Sequence, residues 1–234
     1  MILNELIKRS PIRIFEQSIH GGLKPGEIGI IASANGVGKT SVLVQLALDK
    51  LLQSKKVIHV SFTQHTDYVL AWYEDIFNEF ISRKNLENAA DVKNETVKNR
   101  VLMNFNQDGM SKDQIIKGLR AMIIGGGFKA ESIIVDGFDF SRADRERIAT
   151  VRDFATELGV SVWYSCSVKD EGQQYDKENV PILFKDFADL IDVVIVMQPK
   201  QDHVELSVSK DRDSCISKSV TMRLDPKTLL ILEA

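Results

Sequence analysis

The 234-residue chain has little cysteine, little proline and no long apolar run. Its two cysteines, Cys166 and Cys215, can build neither a disulfide framework nor a metal-ligand spacing, and they favour a reducing compartment. No stretch approaches the roughly 20 apolar residues that a membrane-spanning helix needs. The first residues also lack the apolar centre of a signal peptide. We therefore expect a soluble, cytoplasmic protein.

The chain also lacks a large excess of either positive or negative residues. The chain carries 30 basic and 33 acidic residues, a net charge of −3 with histidines neutral. This balance argues against a chain-wide electrostatic grip on nucleic acid or anionic lipid, although a local patch stays open. The 44% of hydrophobic residues indicates a globular protein. Repeats and Pro/Gly/Ser-rich linkers are absent, so we predict a single domain over residues 1–234, with residues 1–15 as a short N-terminal appendage.

Short β-rich runs alternate with longer helical patterns along most of the chain. The predicted helices are Lys39–Leu52, Asp67–Ile81, a segment from Ser111 to about Ile124, and Arg142–Leu158. The predicted strands are Gly29–Ala32, Val57–Phe62, Arg100–Phe105, Ser132–Asp136, Val160–Ser165, Val193–Met197, Val204–Ser209, Val220–Leu224 and Leu229–Leu232. Alternation followed by a strand-rich tail predicts an α/β fold: a mostly parallel twisted sheet flanked by helices, with an antiparallel C-terminal hairpin edge.

The strongest chemical signal lies between the first predicted strand and the first long helix. A glycine-rich turn there ends in Gly-Lys-Thr, the Walker A pattern that holds a nucleoside triphosphate. Gly36 and Gly38 let backbone N–H groups approach the phosphates closely. We expect Lys39 to reach the β- and γ-phosphates and Thr40 to bind Mg²⁺. Ser33 stands where this motif usually begins with glycine. The predicted nucleotide-binding residues are Ser33, Ala34, Asn35, Gly36, Val37, Gly38, Lys39, Thr40 and Ser41.

A second part of the site is predicted at the end of the run Ser132–Asp136. Three of its residues are apolar, and it ends in a carboxylate. In open α/β sheets, ligands bind at the carboxyl ends of the strands. We therefore predict that Asp136 holds Mg²⁺ through a water molecule, together with Thr40. The nearby Asp139 is interpreted as a loop residue.

Several segments resemble the RecA-like P-loop ATPases, and the pattern is most similar to KaiC, RadA and the DnaB-type helicases. Gly-Gly-Leu-Lys-Pro-Gly-Glu at 21–27 resembles the segment that precedes their phosphate loop. Residues 188–194 and 208–212 resemble their late strand and Lys-x-Arg element. The resemblance covers about residues 10–234. It implies ATP and Mg²⁺ as ligands and a homo-oligomer, a ring or filament and possibly a hexamer. Lys210 and Arg212 would then act on a neighbour's nucleotide, and the alternative is that both are solvated strand residues.

The chain departs from this family at two positions. The family usually has a glutamate after the second strand to activate water, whereas this chain has Thr63 and then Gln64. Gln64 could still orient a water molecule, as a glutamine does in some GTPases. Where the helicases carry a glutamine that senses the γ-phosphate, this chain offers Cys166 or Ser167. Both departures favour nucleotide binding over fast hydrolysis.

The sequence is compatible with three functions. The first is a slow ATPase with its site at a subunit interface, in which Lys39, Gln64, Lys210 and Arg212 carry catalysis. The second is a non-hydrolysing, nucleotide-gated scaffold or regulator with a protein partner. The third is a DNA helicase or recombinase module. Nucleic acid is disfavoured, because residues 168–180 hold two lysines against four carboxylates.

Overall fold

The computed structural model describes residues 11–63, 65–84, 89–106, 109, 111–168, 175–213 and 218–233. The strands are β1 (Ile28–Ser33), β2 (Val57–Ser61), β3 (Arg100–Asn104), β4 (Ser132–Asp136), β5 (Ser161–Ser167), β6 (Val193–Pro199), β7 (Val204–Asp211), β8 (Lys218–Leu224) and β9 (Ile231–Glu233). The helices are α1 (Pro11–Ser18), α2 (Lys39–Leu52), α3 (Thr66–Lys84), α4 (Ala89–Lys98), α5 (Lys112–Arg120) and α6 (Arg145–Leu158). None of the described helices has both the length and the apolar content to cross a membrane.

The described strands form one sheet in the order β3-β2-β4-β5-β1-β6-β7-β8-β9. The strands from β3 to β6 in this order pair in parallel, and β7, β8 and β9 pair antiparallel. Strands β1, β2 and β4 are buried along their whole length, as expected for a parallel sheet that is covered on both faces. The predicted α/β class with a mostly parallel sheet and an antiparallel C-terminal edge is confirmed.

The sheet separates two hydrophobic clusters. One cluster packs α1, α2 and α3 against one face, and the other packs α5 and α6 against the opposite face. Because β1 and β4 run in the same direction, Ser33 and Asp136 leave the sheet at one edge, which we call the carboxyl edge. Strand β7 runs in the opposite direction, and its Lys210 pairs with Val194 near the start of β6. Lys210 and Arg212 therefore lie at the other edge, the amino edge.

The N-terminal helix α1 begins within the segment predicted as a short appendage, residues 1–15. Residues 11–15 begin α1, and Ile12, Phe15 and Ile19 are buried in the first hydrophobic cluster. The Phe15 ring lies 5.8 Å from the Trp163 ring of β5, centroid to centroid. Ile12 and Phe15 therefore belong to the core. Residues 1–10 lie outside the described part of the chain.

Most predicted elements are present with small shifts at their ends, and two shifts have a visible cause. The helix predicted from Arg142 begins at Arg145, because the Asp144 carboxylate accepts from the Arg147 N–H and caps it. Helix α5 continues into a turn of π-helix at Ala121–Gly125 before the glycines end it. Its start is the predicted one, since Ser111 and Gln114 form a reciprocal capping box.

The burial of α1 can be tested by truncating its central aromatic residue. Phe15→Ala removes a fully buried ring between α1 and β5, so we expect the free energy of unfolding to fall by roughly 3–5 kcal/mol. Urea unfolding measures this loss. Tyr68→Ala is the control, because the Tyr68 side chain is largely exposed and its removal leaves no cavity. A Phe15→Ala protein as stable as this control contradicts the assignment of α1 to the core.

Candidate nucleotide-binding site

The loop between β1 and α2 requires glycine at two positions. Gly36 has φ 77° and Gly38 has φ 106°, in the region that favours glycine. A Cβ on Gly38 would also lie 2.7 Å from Cδ2 of Leu224 on β8. No side chain of the described residues caps the N-terminus of α2, which starts directly after Gly38. The first N–H groups of a helix lack intrahelical partners, and with the helix dipole they favour an anion at this position.

The Lys39 ammonium group lies over the main chain of the same loop. It donates to the Ala34 carbonyl oxygen at 2.7 Å, and to the carbonyl and hydroxyl oxygens of Ser33 at 3.2 Å each. Ser33 is fully buried, and its hydroxyl takes part in this contact where the usual glycine could not. These oxygens hold a largely buried cation at the carboxyl edge, at the point where a phosphate would bind.

Thr40 and Asp136 meet at the carboxyl edge although 96 residues separate them. The Thr40 hydroxyl donates to Asp136 Oδ2 at 2.8 Å. The Ser165 hydroxyl, at the end of β5, donates to Asp136 Oδ1 at 2.6 Å. Sequence reasoning paired Thr40 with Asp136 but missed Ser165, for which no sequence motif gave a signal.

Oxygen atoms at this edge suit Mg²⁺. A carboxylate and a hydroxyl are the protein ligands that Mg²⁺ typically accepts while it keeps water and phosphate oxygens as its other ligands. Among the described residues, no three His, Cys, Asp or Glu side chains lie together in a way that could hold a metal without a phosphate. Asp136 and Thr40 would hold the ion, and the site fits a metal that arrives with a nucleotide.

The start of α2, which follows the loop, is hydrogen-bonded to the turn before β9 and to β9 itself. The Ser41 hydroxyl lies within hydrogen-bond distance of the carbonyl oxygens of Gly38 and Leu229, at 3.1 and 3.2 Å, and shares its proton between them. Gln45, one turn further along α2, donates to the Leu229 carbonyl and accepts from the Ile231 N–H, both at 2.9 Å. The Ser41 side chain is thus fully buried against this turn. The Ser41 hydroxyl therefore faces this turn, and its part in nucleotide binding stays a prediction.

The position at which the RecA-like family usually has a glutamate lies next to the end of β4. Thr63 packs against Gly137, where an added Cβ would come within 2.4 Å of the Thr63 Oγ1. Gly137 follows Asp136 directly, so Thr63 lies next to the end of β4. The side chain at this position is a hydroxyl and not a carboxylate. Gln64, the predicted water-orienting residue, lies outside the described residues. Cys166 is buried, and burial raises the pKa of its thiol to about 12, which excludes a reactive thiolate at neutral pH.

Lys210 makes contacts within its own chain at the amino edge. Its ammonium group donates to the carbonyl oxygens of Ala188 and Ile191, at the turn that precedes β6. This edge is opposite to the phosphate loop. Lys210 therefore cannot act on a nucleotide bound to its own loop, and its role toward a neighbour's nucleotide stays a prediction.

Arg212 makes five hydrogen bonds with its five N–H groups. It forms a bidentate pair with Glu27 at 2.9 and 2.8 Å, and it also donates to the Asp211 carboxylate. Two carbonyl oxygens, of Ile19 and Gly22, accept the remaining bonds. The side chain is 21% exposed. This geometry joins the turn before β1 to the end of β7, and the action of Arg212 on a neighbouring subunit, which would need some of these bonds to break, stays a prediction.

The arginines that follow β4 also have partners in this chain. Arg145 forms a bidentate pair with Asp189, with both distances at 2.6 Å. Arg142 lies 3.3 Å from the Asp139 carboxylate, and Arg147 lies over the Phe138 ring at 5.6 Å. Phosphates of a nucleic acid would have to compete with these contacts, and the expectation that nucleic acid is not the ligand stays a prediction.

Removing the Arg212 side chain separates a structural role from a catalytic one. Arg212→Ala leaves the carboxylates of Glu27 and Asp211 without their cation, so we expect the free energy of unfolding to fall by roughly 3 kcal/mol in urea. Arg145→Ala is the matched control, because it removes an equally bidentate but exposed pair and should change stability little. An Arg212→Ala protein that is as stable as wild type but inactive would instead support a role at a neighbour's nucleotide.

Strand β2 carries a buried histidine, His59. His59 Nδ1 lies 3.1 Å from the Tyr73 hydroxyl, and Nε2 has no hydrogen-bond partner among the described residues. Burial lowers the pKa of His59 to about 4, while the negative charge of Asp136 opposes this shift and Arg100 adds to it. The folded protein therefore holds His59 neutral at neutral pH.

This lowered pKa predicts a loss of stability in mild acid. Below the ordinary pKa of about 6.5 the unfolded chain binds a proton that the folded chain rejects, so stability falls as the pH drops from 6.5 towards 4. We expect the contribution of His59 to fall by about 2 kcal/mol between pH 7.5 and 5. Urea unfolding of wild type and His59→Phe at both pH values measures it. Equal pH dependence in the two proteins contradicts the prediction.

Comparison with known proteins assigns no family to this site. No protein-family model matches the chain, and no curated protein matches it. What the site can bind therefore depends on three features of its residues. They are a buried lysine over a glycine-rich loop, a helix N-terminus that no described side chain caps, and a hydroxyl hydrogen-bonded to a buried carboxylate at one edge of a parallel sheet.

Proposed function

We propose that the protein is a RecA-like P-loop ATPase that binds ATP with Mg²⁺ and hydrolyses it slowly to ADP and phosphate. The observation that carries the proposal is the hydrogen bond between Thr40 and Asp136, at the mouth of a loop that also holds Lys39. If the Gly-Lys-Thr sequence had occurred by chance, we would not expect its threonine to hydrogen-bond a buried carboxylate 96 residues away in the chain. Two independent predictions from the sequence thus support one site.

In this proposal, different residues of the site interact with different parts of the bound triphosphate. The N–H groups of the loop and of α2 face the phosphates, and the Lys39 ammonium group balances charge on the β- and γ-phosphates. Thr40 and Asp136 would hold Mg²⁺, and the ion would supply positive charge to stabilise the negative charge of the phosphates during hydrolysis. Thr63 stands where the RecA-like family usually has a glutamate, and a hydroxyl is a poor base for the attacking water, so the expected turnover is slow.

The resemblance to KaiC, RadA and the DnaB-type helicases supports a homo-oligomer in the cytoplasm. The Lys210 and Arg212 side chains lie at the edge opposite to the phosphate loop. Only a second copy of the chain could therefore bring them to a nucleotide. We expect oligomers that depend on nucleotide if these residues serve a neighbour.

A second candidate is a nucleotide-gated scaffold that binds ATP without turning it over and presents its loaded form to a protein partner. Two observations favour it. Thr63 occupies the position beside Asp136 where a base is needed, and Arg212 is bonded within its own chain. Both candidates share the binding site and differ only in the chemical step.

Phosphate release and nucleotide binding test the proposal together. We expect Lys39→Ala to lose nucleotide affinity at least 10-fold, because it removes a charge-assisted contact with the phosphates, and to lose phosphate release with it. Binding is measured with a fluorescent ATP analogue in the presence of Mg²⁺, and light scattering gives the mass of the same samples. Lys24→Ala is the control, since Lys24 is exposed and lies before β1.

The outcomes separate the candidates. Phosphate release that disappears in Lys39→Ala but persists in the control supports the slow ATPase. Tight binding with no release in wild type, and assembly with ATP and a non-hydrolysable analogue alike, supports the scaffold. Affinity and release unchanged by Lys39→Ala contradict both candidates.

A further inference from the structure

The Ser165 hydroxyl connects two groups at the carboxyl edge, the Asp136 carboxylate and the Gly137 N–H. It donates to Asp136 Oδ1 at 2.6 Å and accepts from the Gly137 N–H at 2.9 Å. Ser165 is 3% exposed and Asp136 is 4% exposed. A serine hydroxyl has a single proton. Because the Gly137 N–H occupies the acceptor side of this hydroxyl, its proton is directed at the carboxylate.

The two oxygens of the Asp136 carboxylate therefore have separate partners. Oδ1 accepts from Ser165 and Oδ2 accepts from Thr40. Rotation of the carboxylate about its last bond would break both hydrogen bonds in a buried site, where water cannot replace them easily. The oxygen that faces the predicted metal position is thus selected before any metal binds.

The backbone after β4 is held in the same place. Gly137 has φ 78°, and a Cβ at this residue would collide with Thr63. This turn directs the Gly137 N–H back towards β5, where Ser165 accepts it. Ser165 consequently binds both the side chain of the metal residue and the main chain that follows it.

We propose that Ser165 is a positioning residue of the magnesium site, and this inference rests on the proposed function. Ser165 does not touch the ion. It holds the Asp136 carboxylate with Oδ2 beside Thr40, and so lowers the Mg²⁺ concentration that the nucleotide complex needs. Partners that hold a metal ligand in this way typically contribute a factor of about 10 to 100 to metal affinity.

A serine on the same strand provides a matched control. Ser161 is also buried, and its hydroxyl donates to the Ser132 hydroxyl at 3.2 Å. It lies at the start of β5, while Ser165 lies near its end. Ser165→Ala and Ser161→Ala each remove one bonded hydroxyl from one buried strand, and only Ser165→Ala frees the metal carboxylate.

Mn²⁺ binding measured by electron paramagnetic resonance tests the inference without turnover. The titration uses full-length protein saturated with a non-hydrolysable ATP analogue. We expect Ser165→Ala to raise the Kd for Mn²⁺ about 10-fold, while Ser161→Ala stays within about twofold of wild type. Affinity for the analogue in EDTA should be the same in all three proteins, because no metal is then held. Urea unfolding confirms that each variant is folded.

Each other outcome overturns the inference. Mn²⁺ affinity of Ser165→Ala within twofold of wild type shows that Ser165 only satisfies hydrogen bonds, and the proposed nucleotide site stands. Equal weakening in Ser165→Ala and Ser161→Ala assigns the effect to the strand as a whole, with the same consequence. A wild-type protein that binds neither the analogue nor Mn²⁺ overturns the proposed function and this inference together.

Discussion

The hydrogen bond between Thr40 and Asp136 is the contact on which the arrangement of the site depends. It exists because parallel strands deliver their carboxyl ends to one edge, so that the loop after β1 and the last residue of β4 come close together. Strand β5 lies between them in the sheet and contributes Ser165 to the same carboxylate. A negative charge can stay buried there because hydroxyl protons face both of its oxygens.

The antiparallel part of the sheet is coupled to this site through side chains of α2. Gln45 bonds both to the Leu229 carbonyl and to the Ile231 N–H, and Gly38 packs against Leu224. The glycine at the start of α2 thus satisfies a backbone conformation and a packing constraint from β8 together. Buried contacts thus join the C-terminal strands to the start of α2 and the loop before it.

Charged groups are arranged differently at the amino edge. Arg212, Glu27 and Asp211 form a network that is mostly shielded from water, whereas the Arg145 pair with Asp189 is exposed. Shielded pairs are costly to break because the remaining charge is left without solvent. The network therefore stabilises the junction of the turn before β1 with the end of β7, and a role for Arg212 at a neighbouring subunit would have to outweigh that stabilisation.

The sequence by itself determined the α/β alternation, the glycine-rich loop that precedes Lys39 and the carboxylate of Asp136 at the end of a buried strand. Each of these is encoded by residues close together in the chain, where periodicity or spacing can be read directly. Only the tertiary structure decided that Phe15 belongs to the core, that Arg212 pairs with Glu27 and that Ser165 holds Asp136. The last two partners lie 185 and 29 residues apart in the chain. A single serine or arginine carries no local pattern that names so distant a partner, because the contact arises only when the sheet brings the strands together.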